Sequence, residues 1–331
     1  MKHPISSLSV LVLTLLLTLT AIMPVSAAST QTQLEQTARF VQSTVSNPQV
    51  ATTGGEWAVI GLARSGQPVP QSWYETYLTN LTEYTRQCQG VLSTRKYTEY
   101  SRVVLALTAL GEDPRNVAGY DLLAPLEDVE STVRQGINGA IYALIALDSG
   151  NYVVQDGVRE QYLAYLLAAQ LPDGGWALAG DRSDPDITAQ ALQALAPYRT
   201  QAGDSVERGL ATLDRLYADG SFVTLESYAQ TIIAQCTLGE DPSQDLLDRF
   251  FSYGLSDGSF RHRLDGQADG MATEQALCAL AALARSEAGQ SSLYAMSDVS
   301  QVPSSGQIPA QAVSLLPTAL ALLPICVLGQ L

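Results

Sequence analysis

Histidine and lysine are almost missing from this chain of 331 residues. Histidine occurs as His3 and His262, lysine as Lys2 and Lys96. Four cysteines are present, Cys88, Cys236, Cys278 and Cys326, and none falls in a CxxC pair. A zinc site of the usual Cys and His ligands is therefore hard to assemble, and no metal site is expected. Basic residues are scarce overall, with 18 Lys and Arg against 33 Asp and Glu, for a net charge of −15. That balance excludes nucleic acid and anionic lipid headgroups as partners, because phosphate contacts need clustered cations. Period-two alternation of apolar and polar residues is almost absent too, which excludes a sheet protein and predicts an all-α fold.

The two ends of the chain differ from its middle. A polar start at Lys2 and His3 leads into an apolar run from Leu8 to Met23, closed by Pro24-Val25-Ser26-Ala27. This is the pattern of a secretory signal peptide, residues 1–27, and places the protein outside the cell or at its surface. An uncleaved anchor is the alternative. Near the other end, a polar Pro, Ser and Gly stretch completes a linker expected over 293–307. The segment 308–331 carries no charge and is long enough to span a bilayer, but Pro309, Pro317 and Pro324 interrupt it. It reads equally as a membrane anchor or as an apolar tail, and is the only expected contact with a membrane.

Between them lies a repeat domain, residues 30–292. Asp-Gly-small-aromatic recurs as Asp173-Gly-Gly-Trp176, Asp219-Gly-Ser-Phe222 and Asp257-Gly-Ser-Phe260, with a degenerate copy at Gly54-Gly-Glu-Trp57. Each copy precedes an Ala- and Leu-rich segment. Asp186-Ile-Thr-Ala-Gln-Ala-Leu192 matches Met271-Ala-Thr-Glu-Gln-Ala-Leu277 at Thr, Gln, Ala and Leu. Two segments end alike, at Gly111-Glu-Asp-Pro114 and Gly239-Glu-Asp-Pro242, as helices do when glycine takes the left-handed stop and proline blocks continuation. Six small-residue-rich helices are predicted, beginning near 56, 99, 138, 186, 226 and 271. Their spacing of roughly 40 to 50 residues is that of a helix-pair repeat. Amphipathic helices alternate with them, among them 158–170, 205–217 and 245–253. The Ala-rich helices belong inside and the one-striped helices outside. Six inner and six outer helices close an α/α toroid, with 31–45 as the closing partner; an open stack is the alternative. Cys236 and Cys278 fall on corresponding helices, either as a disulfide or as two small buried apolar residues.

In such a ring the inner helices share one mouth, and the polar residues of their first turns converge on it. Candidate ligand-binding residues are Glu56, Trp57, Tyr100, Asn138, Trp176, Asp184, Asp186, Glu226, Tyr228, Thr273 and Glu274. One turn deeper are Gln190, Gln230 and Gln275. Each acid also suits a helix N-terminus as a cap, and each turn aromatic suits packing between repeats. With 15 Tyr against 5 Phe and 3 Trp, the aromatic surface favours a polar organic ligand over a hydrocarbon.

Asp173-Gly-Gly-Trp176 followed by Asp184-Pro-Asp-Ile-Thr-Ala-Gln-Ala-Leu192 resembles the repeat of the prenyltransferase and squalene-cyclase family, over roughly residues 30 to 290. The resemblance implies the terpenoid-cyclase-like α/α toroid, which also forms the helical domain of cobalamin carriers. In the cyclases an Asp-x-Asp-Asp-Thr-Ala motif protonates the substrate. Asp184 and Asp186 match its first two acids and Thr188-Ala189 its end, while Ile187 stands at its fourth position. Prenyltransferases need a zinc ligand set and a basic diphosphate site that this chain lacks. Cobalamin carriers add a small β domain that is not evident here, so a second chain would complete such a site. The expected function is thus an exported, non-catalytic ligand-binding module. Its partner is a small polar organic ligand, a peptide or a glycan. Cobalamin is a possible ligand, and no resident cofactor is expected. The alternatives are an enzyme, with Asp186 and Asp184 as catalytic acids or mouth carboxylates cleaving glycans, and a structural surface repeat protein.

Overall fold

The computed structural model describes residues 25–300. The tail 308–331, Cys326 and almost all of the leader lie outside this range. The described chain is all-α apart from one two-stranded ladder of two residues per strand, β1 (Phe260–Arg261) and β2 (Ala268–Asp269).

Six helices form the interior: α2 (Glu56–Arg64), α4 (Thr98–Leu110), α6 (Ile137–Ser149), α8 (Pro185–Leu195), α10 (Leu225–Leu238) and α12 (Gly270–Glu287). Their starts agree with the predicted ones to within a residue. In α6 every residue from Gly139 to Leu147 is buried. Small side chains make this possible by letting backbones approach. A Cβ on Gly61 of α2 would sit 2.8 Å from Leu277 Cγ of α12. The helix ends follow the expected chemistry. Gly111 and Gly239 both take φ of 77° and donate their N–H groups back to the last turn. Asp184 and Asp269 cap α8 and α12 by accepting from the N–H groups of Ile187 and Ala272.

The other helices each bury a single stripe. They are α1 (Val25–Thr44), α3 (Gln71–Gln87), the short α5 (Val129–Val133), α7 (Val158–Ala168), α9 (Arg199–Ala218) and α11 (Gln244–Phe251). α3 buries Trp73, Tyr77, Leu81 and Thr85, one residue per turn. α9 starts six residues before the predicted 205, with a break from helical geometry at Ala202. Among the interior helices, α2 packs on α4, α4 on α6, α6 on α8, α8 on α10 and α10 on α12; α12 packs on α2. α1 lies against α12 and touches α2. α7 covers α6, α9 covers α8 and α11 covers α10. α3 is joined through its side chains: the Trp73 indole donates to Val45 O and the Tyr77 hydroxyl to Glu56.

Residues 291–298, expected as the approach to a linker and its beginning, are packed chain. Leu293, Tyr294 and Met296 are buried. Arg64 donates from Nε to Leu293 O and from its terminal nitrogens to Ser292 O, Ala295 O, Ser291 Oγ and Asp298. Arg285 binds Asp298 and Ser291 as well. The sequence stretch is polar and turn-forming, but two buried arginines supply its missing partners. Cys236 and Cys278 are buried free thiols, so the apolar reading of this pair holds and the disulfide does not form.

Candidate functional site

A cavity of about 270 Å³ opens at the N-terminal ends of the interior helices. All six contribute to its wall. α2 gives Trp57; α4 gives Arg102, with Thr98 above it. α6 gives Asn138 and Tyr142, α8 gives Asp186 and Gln190, α10 gives Glu226 and Gln230, and α12 gives Met271 and Gln275. These positions follow from helix periodicity: the pairs 98/102, 138/142, 186/190, 226/230 and 271/275 are each one turn apart on one face.

Seven of the residues predicted from sequence meet here: Trp57, Asn138, Asp186, Gln190, Glu226, Gln230 and Gln275. The other predicted residues do different work. Glu56 is buried beside the cavity, where it accepts from Ala51 N and the Tyr77 hydroxyl. Glu274 accepts from Gly54 N and so ties the loop before α2 to α12. Burial lifts its carboxyl to about 7, with Glu56 adding repulsion. Asp184 is the α8 cap. Trp176 is fully buried, with its indole donating to Leu166 O. Tyr100 and Tyr228 are packed among aromatics, Tyr100 against Tyr97 and Tyr228 against Tyr217, Phe222 and Tyr253. Thr273 is a fastener. Its hydroxyl accepts from Phe260 N and donates to Asp269 O, as Thr188 accepts from Trp176 N in the earlier repeat. The Thr common to both repeats thus pins the aromatic turn to the helix that follows it.

The cavity wall is chemically mixed. Trp57 and Tyr142 meet at 5.6 Å between ring centroids, tilted by 58°. Deeper in, a chain of amides crosses three helices. Gln193 Nε2 donates to Gln230 Oε1 at 2.9 Å, and Gln230 Nε2 donates to Gln275 Oε1 at 2.6 Å. Asp186 sits among acids. Burial first, then Asp184 and Glu226, raise its carboxyl to about 6, against a lowering by Ser227 and His262. Glu226 Oε2 and His262 Nδ1 lie 2.8 Å apart. Four buried polar atoms in this wall have no hydrogen-bond partner: Arg102 Nε, Asn138 Oδ1, Asp186 Oδ1 and Gln190 Oε1. Six further such atoms among the described residues, on Thr85, Gln193, Thr231, Gln235, Arg261 and Glu274, belong to residues that do not line the cavity.

Sequence reasoning missed Thr98, Arg102, Tyr142, Met271 and the approach of His262 to Glu226. Met271 is itself a predicted start and Tyr142 lies one turn after the predicted 138, whereas the predicted start at 99, one residue late, extends to 103 and misses Thr98 and Arg102. His262 comes from the loop joining β1 and β2, and no helical period reaches it.

The floor is closed. Tyr294 is buried near Cys278 and Tyr142, so the middle of the helix set is filled from the other end. There a smaller cavity, about 180 Å³, lies between Thr108, Glu112, Tyr152 and Met296. Among the described residues, no three His, Cys, Asp or Glu side chains are grouped to hold a metal ion, and no helix is long and apolar enough to cross a membrane. No protein-family model matches this chain, and no curated protein matches it.

Proposed function

We propose that this chain is an exported α/α toroid of the prenyltransferase and squalene-cyclase repeat type, and that it is a recognition module whose mouth binds a small polar organic ligand or the polar end of a peptide or glycan. The toroid reading is supported by the order of helix contacts, which runs through the six interior helices and returns to the first. The binding reading is carried by one observation: all six interior helices contribute residues to one cavity, and four of those residues, Arg102, Asn138, Asp186 and Gln190, each have a buried polar atom without a hydrogen-bond partner. Ligand pockets for drug-sized molecules hold roughly 300–1,000 Å³, so this one suits a ligand of modest size. A corrinoid is too large to enter it and would have to lie across the mouth, with a second chain to hold it. Thermal-shift screening of the secreted protein against amino acids, short peptides, mono- and oligosaccharides and corrinoids tests the reading. A ligand that stabilises the protein, and loses that effect in Asp186→Asn, is expected. If no member of the panel shifts the melting temperature, mouth binding is wrong.

Catalysis by Asp186 is the second reading. It is favoured by a carboxyl near 6 standing beside the Glu226–His262 pair, a state suited to proton donation. Against the cyclase version, Ile187 is buried in the core, so the fourth motif position brings no group to the cavity. Turnover of a bound glycan or alkene, abolished in Asp186→Asn with binding retained, would establish this reading over the first.

A further inference from the structure

The charges of the mouth are sorted by side. In the cyclic order of contacts, α4 stands three steps from α10, so Arg102 lies across the opening from Glu226, and Asp186 is on the helix next to Glu226. The carboxyl of Asp186 is influenced by Asp184, Glu226 and His262. Arg102 instead acts on Glu56, Glu99 and Glu274. Yet it makes no ion pair with any of them, and its buried Nε donates to nothing. Eight of the sixteen arginines form no ion pair among the described residues, and Arg102 is the one of them that lines this cavity. A buried donor left unpaired carries a desolvation penalty, which the pull of those three carboxylates opposes without supplying the missing hydrogen bond.

The polar residues of the wall specify what the occupant must offer. Arg102 asks for an acceptor, best a carboxylate, whose two oxygens match its fork of donors. The Asp186 carboxylate and the amide carbonyls of Asn138 and Gln190 call for donors. A neutral sugar supplies donors but leaves the guanidinium without an anion. A simple acid meets Arg102 and is repelled by Asp186 and Glu226. A simple amine does the reverse. A molecule with an ammonium at one end and a carboxylate at the other satisfies both sides, since the ammonium alone brings three N–H donors.

We propose that the mouth binds a short zwitterion, of amino-acid to dipeptide size, with its carboxylate on Arg102 and its ammonium toward Asp186 and Glu226. This rests on the reading of the mouth as a ligand site and names the class of ligand. The cavity volume sets the upper limit of size.

Titration calorimetry on the secreted protein at neutral pH tests it with alanine, alanylalanine, their N-acetyl and carboxamide derivatives, and glucose. Binding of alanine or alanylalanine is expected, the stronger of the two showing whether one residue or two fill the site. Capping either end should weaken binding at least tenfold. Arg102→Gln should abolish the preference for the acid over its amide, and Asp186→Asn should narrow the preference for the free amine over its N-acetyl form. Capped derivatives that bind within threefold of their parents would overturn the zwitterion assignment without any variant needing to fold. Glucose binding without zwitterion binding would overturn it too, while leaving the mouth as a ligand site. Silence from every probe would remove both.

Discussion

Arg64 and Arg102 sit on neighbouring interior helices, near opposite ends of the set. Arg64 is 3% exposed and donates to three carbonyls, a hydroxyl and a carboxylate. Arg102 is partly buried and its Nε donates to nothing. The same residue type therefore does structural work at one end and stands unspent at the other. At the C-terminal end the chain itself, residues 291–298, supplies acceptors and fills the floor. At the N-terminal end no segment among the described residues does so, and the polar residues line a cavity. A fold that satisfies its buried groups in one place leaves them open in another only at a cost to stability.

The sharpest way to break this comparison is Arg64→Ala. It strands three backbone carbonyls, while Asp298 keeps Arg285, and should cost about 3–5 kcal/mol by chemical denaturation. A loss under about 1 kcal/mol would mean that the 291–298 closure is not what holds that end. Asp186→Asn should act with the opposite sign. The carboxyl is raised from 3.8 to about 6, so the unfolded chain ionises first and stability falls as pH rises through that interval, then levels off. Discounting for partial exposure, the variant should gain about 1–2 kcal/mol near pH 8 and nothing near pH 4. Denaturation curves at the two pH values check both size and sign. Arg102→Met should shift stability by less than about 1 kcal/mol, because it breaks no direct ion pair and removes only the longer-range pull on Glu56, Glu99 and Glu274. A penalty as large as that of Arg64→Ala would show that Arg102 is structural after all. Smallest of all is Glu35→Ala on the surface of α1. Its ion pair with Arg39 is exposed and local, so the change should stay within about 0.5 kcal/mol.

Much of the interior was legible because its signals are local. Gly111 and Gly239 stop their helices through a backbone conformation that the Gly-Glu-Asp-Pro sequence announces. Ala-rich segments announce burial on several faces. The mouth was half legible for the same reason: residues one helical turn apart from a shared start fall on one face, which collected Asp186 with Gln190 and Glu226 with Gln230. The residues that misled are those whose side chain had a nearer partner. Thr273 meets Phe260, Trp176 meets Leu166 O, and Glu274 meets Gly54 across more than two hundred residues. The stretch after 290 misled differently. Its Ser, Gly and Asp content reads as solvent-exposed linker, but its polar groups are matched by two arginines that precede it in sequence.

By itself the sequence determined an all-α chain, six buried helices with their starts and stops, and a row of polar residues on their first turns. These depend on propensity, capping and periodicity, which act within a few residues. Tertiary structure alone decided which of those polar residues are fasteners and which face open space. That choice depends on partners brought from far along the chain, and a short-range pattern carries no record of them. The row of acids at the helix starts was in the sequence; that Glu274 would accept from Gly54, 220 residues away, while Asp186 would line the cavity was settled only when α12 packed against α2 and the six helices came together.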